Sequence, residues 1–257
     1  MKTFVINLER SKDRRAYAKN QLDKFNVEYE FFKATDGSTL SDEWIENNLD
    51  ESFKKEYEKY KNRFITKGAL GCADSHRRLW KYILENEINE EIFLILEDDF
   101  FLLKDTMKII NEIASVMKQH DLEFVNLYYT SLEILELDKK NSIKVNNKYS
   151  LYKYPNQKTS NALAYLVNKK GLKKLLSSQS SKITRMADDW DFEEISLNAW
   201  LVYPLPIVTS GFTSTIINMN FKTFVKRMIL QKILWIPIIS NILIGLWKKR
   251  IVKVRIK

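Results

Sequence analysis

The stretch IFLILEDDFFL, residues Ile92–Leu102, decides the fold and raises the first question about function. Its apolar first half predicts a buried strand, which ends directly at three acids, Glu97, Asp98 and Asp99. Three adjacent carboxylates repel one another and are costly to bury unless a cation neutralises them. Side chains alternate along a strand, so we expect Glu97 and Asp99 on one face and Asp98 on the other. That pair predicts a site for a hard divalent cation such as Mg²⁺ or Mn²⁺; a solvated acidic turn is the plainer alternative.

Strand-like and helix-like segments alternate along most of the chain. The other segments predicted as strands are KTFVINL (2–8), YEFFKA (29–34), EFVNLYY (123–129), NALAYLVN (161–168) and AWLVYPLPIV (199–208). The segments predicted as helices are SKDRRAYAKNQLDKF (11–25, capped by Ser11), the exposed excursion SDEWIENNLDESFKKEYEKYKNRF (41–64), GCADSHRRLWKYILEN (71–86) and KKGLKKLLSS (169–178). This alternation indicates an α/β fold with a mostly parallel central sheet flanked by helices. In such sheets ligands bind where the strands end, which is where the three acids stand.

Size and cysteine content set the broad class. A chain of 257 residues with 45% hydrophobic content can bury a sizeable core and fits one domain with an appendage. Cys72 is the only cysteine, so no disulfide can form within the chain, which fits a reducing compartment. The first residues, MKTFVINLER, lack the long apolar core of a secretory signal. We therefore expect a cytoplasmic protein.

Positive charge is concentrated at the carboxyl end of the chain. The net charge is +9, and the segment Phe221–Lys257 contains ten Lys or Arg residues and no acid. The remainder is close to neutral and has no zinc-finger, RNA-recognition or basic-zipper pattern. We therefore do not expect a nucleic-acid partner.

The carboxyl end instead predicts a membrane contact. We divide the chain into a folded domain, residues 1–215, and a basic, amphipathic helical tail, residues 216–257. The longest uncharged apolar run of the tail, Ile233–Trp247, has 15 residues. A helix that spans a bilayer needs about 20. A segment lying on an anionic membrane surface is the preferred interpretation, and a helical hairpin packed on the domain or a self-association surface is the alternative.

Four ordered motifs carry a family resemblance. They are FVINLERSKDRR (4–15), GALGCADSH (68–76), FLILEDD (93–99) and NALAYLVNKKGLKKLL (161–176). In this order and at these separations they resemble glycosyltransferase family 25, which includes bacterial lipooligosaccharide galactosyltransferases and collagen galactosyltransferases. The resemblance covers residues 2–210. It implies a GT-A-type nucleotide-sugar domain, a UDP-sugar donor, a divalent metal and inversion at the anomeric carbon.

Residues near the end of the first strand are the first candidates for donor binding. Asn7, Leu8 and Arg10 stand at the strand end, and Arg14 and Arg15 lie in the helix that follows. A guanidinium presents forked donors that match phosphate oxygens, so these arginines suit a nucleotide diphosphate. A solvated helix face is the alternative for Arg14 and Arg15.

The end of the second strand supplies a further donor-binding candidate. Thr35 and Asp36, followed by Gly37, suit a contact with uracil or ribose. An ordinary turn is an equally good interpretation of these residues.

The motif GALGCADSH predicts a close approach to the donor. Gly68 and Gly71 permit unusual dihedrals or close backbone contact just before a helix, whose N-terminus favours anions. Ser75 and His76 belong to the same expected donor site, and a structural role is the alternative for His76. We do not interpret Cys72 and His76 as a nucleophilic pair, because a small buried cysteine is commoner than a reactive one and no other feature indicates acyl transfer.

The segment RMADDWDFEE (185–194) supplies candidates for the general base. An inverting transfer requires a group that takes the proton of the acceptor hydroxyl, and Asp188 or Asp189 is expected to be that group. Trp190 can stack on a sugar ring. The family commonly has a Pro-x-Asp type motif in this region, and this sequence has Ala187 and Asp188 in its place. The choice between the two acids stays open, and an acidic helix start is the alternative.

These features together predict an inverting, metal-dependent glycosyltransferase. We expect a hexosyltransferase, most simply a β-galactosyltransferase that uses UDP-galactose and Mn²⁺ or Mg²⁺ to extend a lipooligosaccharide, lipopolysaccharide or related glycan at the inner face of the cell membrane. Glu97 and Asp99 are expected to bind the metal, and Asp98 the nucleotide ribose. Another metal-dependent nucleotidyl or phosphoryl enzyme, or a non-catalytic glycan- or lipid-binding protein of the same fold, is the alternative.

Overall fold

The computed structural model describes residues 1–61, 65–155, 159–179, 181–189, 195–210 and 252–257. The strands in these ranges are β1 (Lys2–Asn7), β2 (Tyr29–Lys33), β3 (Ile92–Glu97), β4 (Phe100–Leu102), β5 (Phe124–Asn126), β6 (Ile134–Leu137), β7 (Ile143–Lys144), β8 (Ser150–Lys153), β9 (Ala164–Asn168), β10 (Ala199–Tyr203), β11 (Ile207–Thr209) and β12 (Lys253–Ile256). The helices are α1 (Lys12–Asp23), α2 (Asp42–Asn48), α3 (Glu51–Tyr60), α4 (Lys67–Asn86), α5 (Thr106–Gln119) and α6 (Lys169–Ser177), with a 3₁₀ turn at Gly37–Thr39. The α/β alternation is confirmed, and within the described residues each predicted segment contains an element of the predicted type, except that AWLVYPLPIV divides into two strands, β10 and β11, of different sheets.

The central sheet is mixed, so the prediction of a mostly parallel sheet is wrong. Its eight strands lie in the order β2-β1-β3-β9-β5-β10-β8-β7. Strand β1 is parallel to both β2 and β3, and β10 is parallel to β5. Strand β9, however, is antiparallel to β3 and β5, and β8 is antiparallel to β10 and β7. Strand β9 lies in the centre of the sheet and is buried on both faces, so its sequence is apolar throughout. Such a sequence does not indicate whether the strand runs parallel or antiparallel to its neighbours.

Helices cover the sheet on both faces. Along β3 the buried residues alternate between two apolar clusters, with Leu94 and Leu96 on one side and Phe93 and Ile95 on the other. The first cluster takes in the apolar faces of α1 and α5, and the second takes in those of α4 and α6. A strand packed from both sides in this way holds the residue at its end in a fixed position.

The predicted excursion is helical over Asp42–Asn48 and Glu51–Tyr60, as predicted, but it is not simply exposed. Ile45 in α2, Leu49 after it, and Phe53 and Tyr57 in α3 are buried together. These four apolar residues recur every four positions, so the abundant charges occupy the outer face while this stripe packs inward. The excursion is therefore a cover over the amino-terminal part of α4.

Helix α4 begins earlier than the sequence analysis predicted. It starts at Lys67, and the hydroxyl of Thr66 accepts a hydrogen bond from the backbone amide of Ala69. The glycines of GALGCADSH therefore lie inside the first turns of the helix rather than before it. At the start of α1, Ser11 occupies the predicted N-cap position, but its side chain makes no capping hydrogen bond.

The tail prediction lies mostly outside the described residues, as does the boundary at residue 215. The last residues of the tail form a strand, so the helical prediction is wrong there: β12 pairs in parallel with β6, and Lys257 and Arg255 form ion pairs with Glu136. Among the described helices none is long and apolar enough to cross a membrane.

Candidate functional site

The carboxyl ends of three neighbouring parallel strands form one edge of the sheet. In the register of β1, Ile6 pairs with Glu97 of β3, and Asn7 pairs with Lys33 of β2. The three acids, Asn7 and the segment Thr35–Gly37 after β2 therefore come together at this edge. Sequence separation between them is up to 92 positions, so only the sheet brings them into contact.

Asp98 and Asp99 lie in a tight turn between β3 and β4, because β3 ends at Glu97. Strand alternation therefore does not govern them, and both bond to the same arginine. Arg14 of α1 places Nη1 2.9 Å from Asp98 Oδ1 and donates from Nη2 to Asp99 Oδ2 at 2.8 Å. Arg14 is only 9% exposed, so its guanidinium lies against these acids rather than on a solvated helix face.

Asp98 has a second partner from β1. The Asn7 side-chain amide donates to Asp98 Oδ2 at 2.7 Å, and both residues are buried. The carbonyl of Asp99 accepts from the Ser210 backbone amide at 2.6 Å, which ties the turn to the end of β11. The turn is thus held from three sides of the fold.

Glu97 has different partners, which come from one face of α4. His76 Nε2 lies 3.4 Å from Glu97 Oε1, and the Cys72 thiol donates to the same oxygen at 3.4 Å. His76 is completely buried, and its Nδ1 lies 2.8 Å from the hydroxyl of Tyr165 in β9. Trp80 Nε1 donates to that hydroxyl at 2.8 Å. A chain of hydrogen bonds therefore runs from α4 and β9 to Glu97.

The pKa shifts show how these environments differ. Burial raises the pKa of Asp99 to about 7, and the charges of Glu97 and Asp98 add to the rise while Arg14 opposes it. Burial also raises the pKa of Asp98. Burial acts on Glu97 in the same sense, but the hydrogen bond from His76 and further favourable contacts outweigh it and leave the pKa of Glu97 below its ordinary value. The turn therefore holds more negative charge than Arg14 compensates, which fits carboxylate ligands of a hard cation.

Cys72 is not a nucleophile in this setting. Burial raises the pKa of the Cys72 thiol well above its ordinary value, and the charge of Glu97 raises it further. A nucleophilic cysteine needs the opposite shift. This environment agrees with the prediction that Cys72 and His76 do not form a nucleophilic pair.

Of the two candidate bases, Asp188 lies nearer to the acids. Burial raises the pKa of Asp188, and the charge of Glu97 is the next cause. Asp189 is exposed, and it lines a small cavity together with Trp80, Leu175 and Ile195. Residues 190–194, including Trp190, lie outside the described part of the chain.

The segment after β2 is held by an exposed ion pair. Arg10 donates from Nε and Nη2 to the two carboxylate oxygens of Asp36, the second at 3.2 Å. This contact lowers the pKa of Asp36 to about 2. Asp36 also accepts from the Ser38 amide at 2.9 Å, so it is both a turn residue and the partner of Arg10. The backbone carbonyl of Leu8 accepts a hydrogen bond from the Ser11 backbone amide at 2.9 Å.

The same segment packs closely on α4, which explains two residues of the GALGCADSH motif. The Thr35 amide donates to Ser75 Oγ at 2.8 Å. A Cβ added to Gly71 would lie 2.7 Å from the Thr35 carbonyl oxygen and 2.8 Å from the Gly37 nitrogen. Gly71 is therefore needed for the approach of this segment to the helix, and Ser75 fastens it there.

Other predicted residues have structural partners. His76 supports Glu97, as described above. Arg15 lies over the ring of Phe31, 4.0 Å from its centre. Its guanidinium therefore packs on β2, the outermost strand of the sheet, and not against the acids.

Tyr165 and Trp80 contact the site but were not among its predicted residues. A signal was present, because Cys72, His76 and Trp80 follow one another at intervals of four along α4 and therefore share a face. Tyr165 offered no such signal, since within an apolar strand it reads as an ordinary core residue.

The sequence of the chain is similar to those of known glycosyltransferases. The sequence model of glycosyltransferase family 25 (LPS biosynthesis protein) matches residues 1–190. A glycosyltransferase 25 family member of Aedes aegypti is 26% identical over 82% of this chain and 36% of its own length. One of Drosophila pseudoobscura pseudoobscura is 33% identical over 46% of this chain and 19% of its own length. Procollagen galactosyltransferase 2 of Homo sapiens is 27% identical over 68% of this chain and 27% of its own length.

The chain spans less than two fifths of the length of these three relatives. The family match nevertheless includes every residue of the strand-end edge described above, together with Asp188 and Asp189. The chain belongs to glycosyltransferase family 25.

Proposed function

We propose that this chain is an inverting, metal-dependent glycosyltransferase that moves a hexose, most simply galactose from UDP-galactose, onto a glycan. One observation carries the proposal: in a family 25 chain, three acids meet at a strand end, and burial raises the pKa of two of them, Asp98 and Asp99. Perturbed acids at such an edge are typical of functional sites. The relatives named procollagen galactosyltransferase support galactose as the sugar, and the proposed inversion would make the product a β-galactoside.

Glu97 and Asp99 are the proposed metal ligands. Their oxygens are the hard donors that Mn²⁺ and Mg²⁺ prefer, and both hydrogen bonds to Glu97 fall on Oε1, which leaves Oε2 to a ligand. Bound there, a divalent ion would neutralise the charge that collects on the departing UDP. Arg14 keeps Asp98 and Asp99 side by side, and Asn7 fixes the orientation of Asp98.

The donor is proposed to lie along the edge formed by the ends of β1 and β2. Arg10 stands exposed there with its half-buried partner Asp36, and Asn7 and Asp98 lie at the ends of the neighbouring strands β1 and β3. Thr35 completes the set. Of the remaining residues assigned to this site, Leu8, Gly71 and Ser75 shape the backbone behind it, and His76 supports Glu97.

Asp188 is the proposed general base, with Asp189 as the alternative. The raised pKa makes Asp188 a stronger proton acceptor than an ordinary aspartate, which suits removal of the proton from the acceptor hydroxyl while UDP leaves. Asp188→Asn should lower the transfer rate by about 10²–10⁴-fold. Asp189→Asn is the matched control. A larger loss of transfer rate in that variant would assign the role of general base to Asp189.

The identity of the donor is tested by a panel of UDP-sugars with Mn²⁺. We expect one sugar, UDP-galactose, to raise the melting temperature of the protein most and to give free UDP as the product. Release of phosphate or pyrophosphate would instead identify a phosphoryl or nucleotidyl enzyme. Absence of any stabilisation by UDP and its sugars would favour a binding protein of the same fold.

The acceptor and the cellular site are proposals from the sequence. A lipooligosaccharide or related glycan at the inner face of the cell membrane suits the basic tail, residues 216–257, and a cytoplasmic catalytic domain, residues 1–215. Replacing Lys248, Lys249 and Arg250 by Gln should weaken sedimentation with anionic vesicles and leave binding to neutral vesicles unchanged. Equal sedimentation of the variant and the parent chain would refute the membrane contact.

A further inference from the structure

We propose that Cys72, His76 and Glu97 form a site for a soft divalent cation, Zn²⁺, beside the proposed Mn²⁺ ligands. One ligand atom from each of the three residues lies within 4.8 Å of the others. None of the roles argued above uses Cys72 as a ligand. A thiol, an imidazole and a carboxylate are the three ligand types that Zn²⁺ takes in proteins.

Two of the three distances between the ligand atoms match those of a tetrahedral zinc centre. Typical bonds of about 2.3 Å to sulfur and about 2.0 Å to nitrogen and oxygen, at tetrahedral angles, place neighbouring ligand atoms about 3.3–3.5 Å apart. Cys72 Sγ and His76 Nε2 each lie 3.4 Å from Glu97 Oε1. Cys72 Sγ and His76 Nε2 lie within 4.8 Å of each other, so a modest approach of these two atoms would let the site enclose an ion.

Two rigid elements supply the ligands. Cys72 and His76 are four residues apart on α4 and so lie on the same face of that helix, and Glu97 is the last residue of β3. The Glu97 side chain is 29% exposed, which gives the ion a route of entry from solvent. Three protein ligands leave the fourth position of a tetrahedral ion to water.

The hydrogen-bond partner of His76 Nδ1 is of the kind expected for a histidine that binds a metal through Nε2. Histidines that bind metals usually engage their other ring nitrogen in a hydrogen bond, which fixes the tautomer. His76 Nδ1 lies 2.8 Å from the Tyr165 hydroxyl, which Trp80 holds from the other side. On zinc binding the Cys72 thiol loses its proton to solvent, and the His76 proton resides on Nδ1, so that sulfur and Nε2 both present lone pairs to the ion.

The ligand set distinguishes this site from the proposed Mn²⁺ site. Thiolate and imidazole favour Zn²⁺ over Mn²⁺ and Mg²⁺, which prefer oxygen ligands throughout. The two sites share Glu97, so on the proposed function zinc would also inhibit sugar transfer. The zinc site itself does not depend on that function, and its test uses no enzymatic readout.

Cobalt spectroscopy tests the site directly, because Cys72 is the only cysteine of the chain. The untagged full-length protein, free of metal, is titrated with Co²⁺ and then with Zn²⁺. We expect a thiolate-to-cobalt charge-transfer band that saturates at one equivalent and disappears when Zn²⁺ is added. Cys72→Ser should fold normally by circular dichroism and lack the band.

Histidine variants provide the second measurement. In a competition with a zinc-binding dye, His76→Gln and Cys72→Ser should each weaken Zn²⁺ binding by at least about tenfold, the scale expected for loss of a ligand or its support. The other histidine of the chain, His120, is exposed at the end of α5, and His120→Gln is the matched control that should retain the affinity. Absence of the charge-transfer band, or equal Zn²⁺ affinity in the parent chain and Cys72→Ser, would overturn the proposal and reduce the cluster to hydrogen bonds that orient Glu97.

Discussion

The three consecutive acids are stabilised in two different ways. Glu97 faces α4, where a thiol and an imidazole supply hydrogen bonds. Asp98 and Asp99 face α1, where the guanidinium of Arg14 supplies a charge. The difference arises because the strand ends at Glu97 and the turn redirects the next two side chains. Like charges that are adjacent in sequence therefore need not share one environment, and their pKa values shift in opposite directions.

Removing the charge on the α1 side should have the largest effect on stability. Arg14→Met leaves two buried carboxylates without their shared cation, so we expect the free energy of unfolding to fall by about 3–5 kcal/mol in the presence of a chelator. Urea unfolding measures this fall in the free energy of unfolding. Arg14→Lys is the control, since a single ammonium keeps the charge but cannot form the forked contact to both acids, and its loss should be smaller. A change below about 1 kcal/mol in Arg14→Met would show that the acids need no compensation.

Removing a hydrogen bond on the α4 side should have an intermediate effect. Tyr165→Phe takes away the hydroxyl that accepts from Trp80 and bonds to His76, which leaves buried polar groups unpaired. We expect a loss of about 1–3 kcal/mol in the free energy of unfolding. Tyr149 is also buried, and its hydroxyl makes no hydrogen bond within the described ranges, so Tyr149→Phe is the matched control. Equal effects of the two substitutions would mean that the chain of bonds behind Glu97 contributes nothing.

The exposed pair Arg10 and Asp36 should have the smallest effect and sharpens the contrast with Arg14. Arg10 is 54% exposed, so Arg10→Ala should cost less than about 1 kcal/mol. The pKa of Asp36 is lowered to about 2, against about 3.9 in an unfolded chain, so the contribution is present above pH 4 and is lost as the pH falls towards 2. Urea unfolding at pH 5 and pH 3 should show the parent chain and the variant converging at the lower pH. A difference that grows on acidification would contradict this assignment.

Much of the fold near the acids could be predicted from local sequence. The buried strand before Glu97 and the helices around it follow from apolar periodicity, and the family motifs located the same edge. The direction of β9 could not be predicted, because a strand buried on both faces has no polar face to mark its orientation. The apolar residues Ile45, Leu49, Phe53 and Tyr57 recur every four positions in the sequence. The many charged residues around them nevertheless led to the prediction of an exposed segment.

The partners of the acids were less predictable than the acids themselves. Arg14 and Asp99 are 85 positions apart, and nothing local indicates that an arginine suited to a phosphate bonds to two carboxylates instead. The strand alternation assumed for Glu97 and Asp99 depended on where β3 ends, and strand ends are the least certain feature of any sequence-based assignment. The contact of His76 with Glu97 needed both α4 and β3 in place.

The most direct test of the proposed function compares Asp99→Asn with Asp105→Asn, an exposed acid between β4 and α5, in release of UDP from UDP-galactose. Asparagine at position 99 can still accept from Arg14, so the variant should fold while losing a charged metal ligand. We expect the parent chain and Asp105→Asn to release UDP only when Mn²⁺ or Mg²⁺ is present, and Asp99→Asn to lose that activity. Full activity of Asp99→Asn in the presence of a chelator would contradict the metal-dependent mechanism at this strand end.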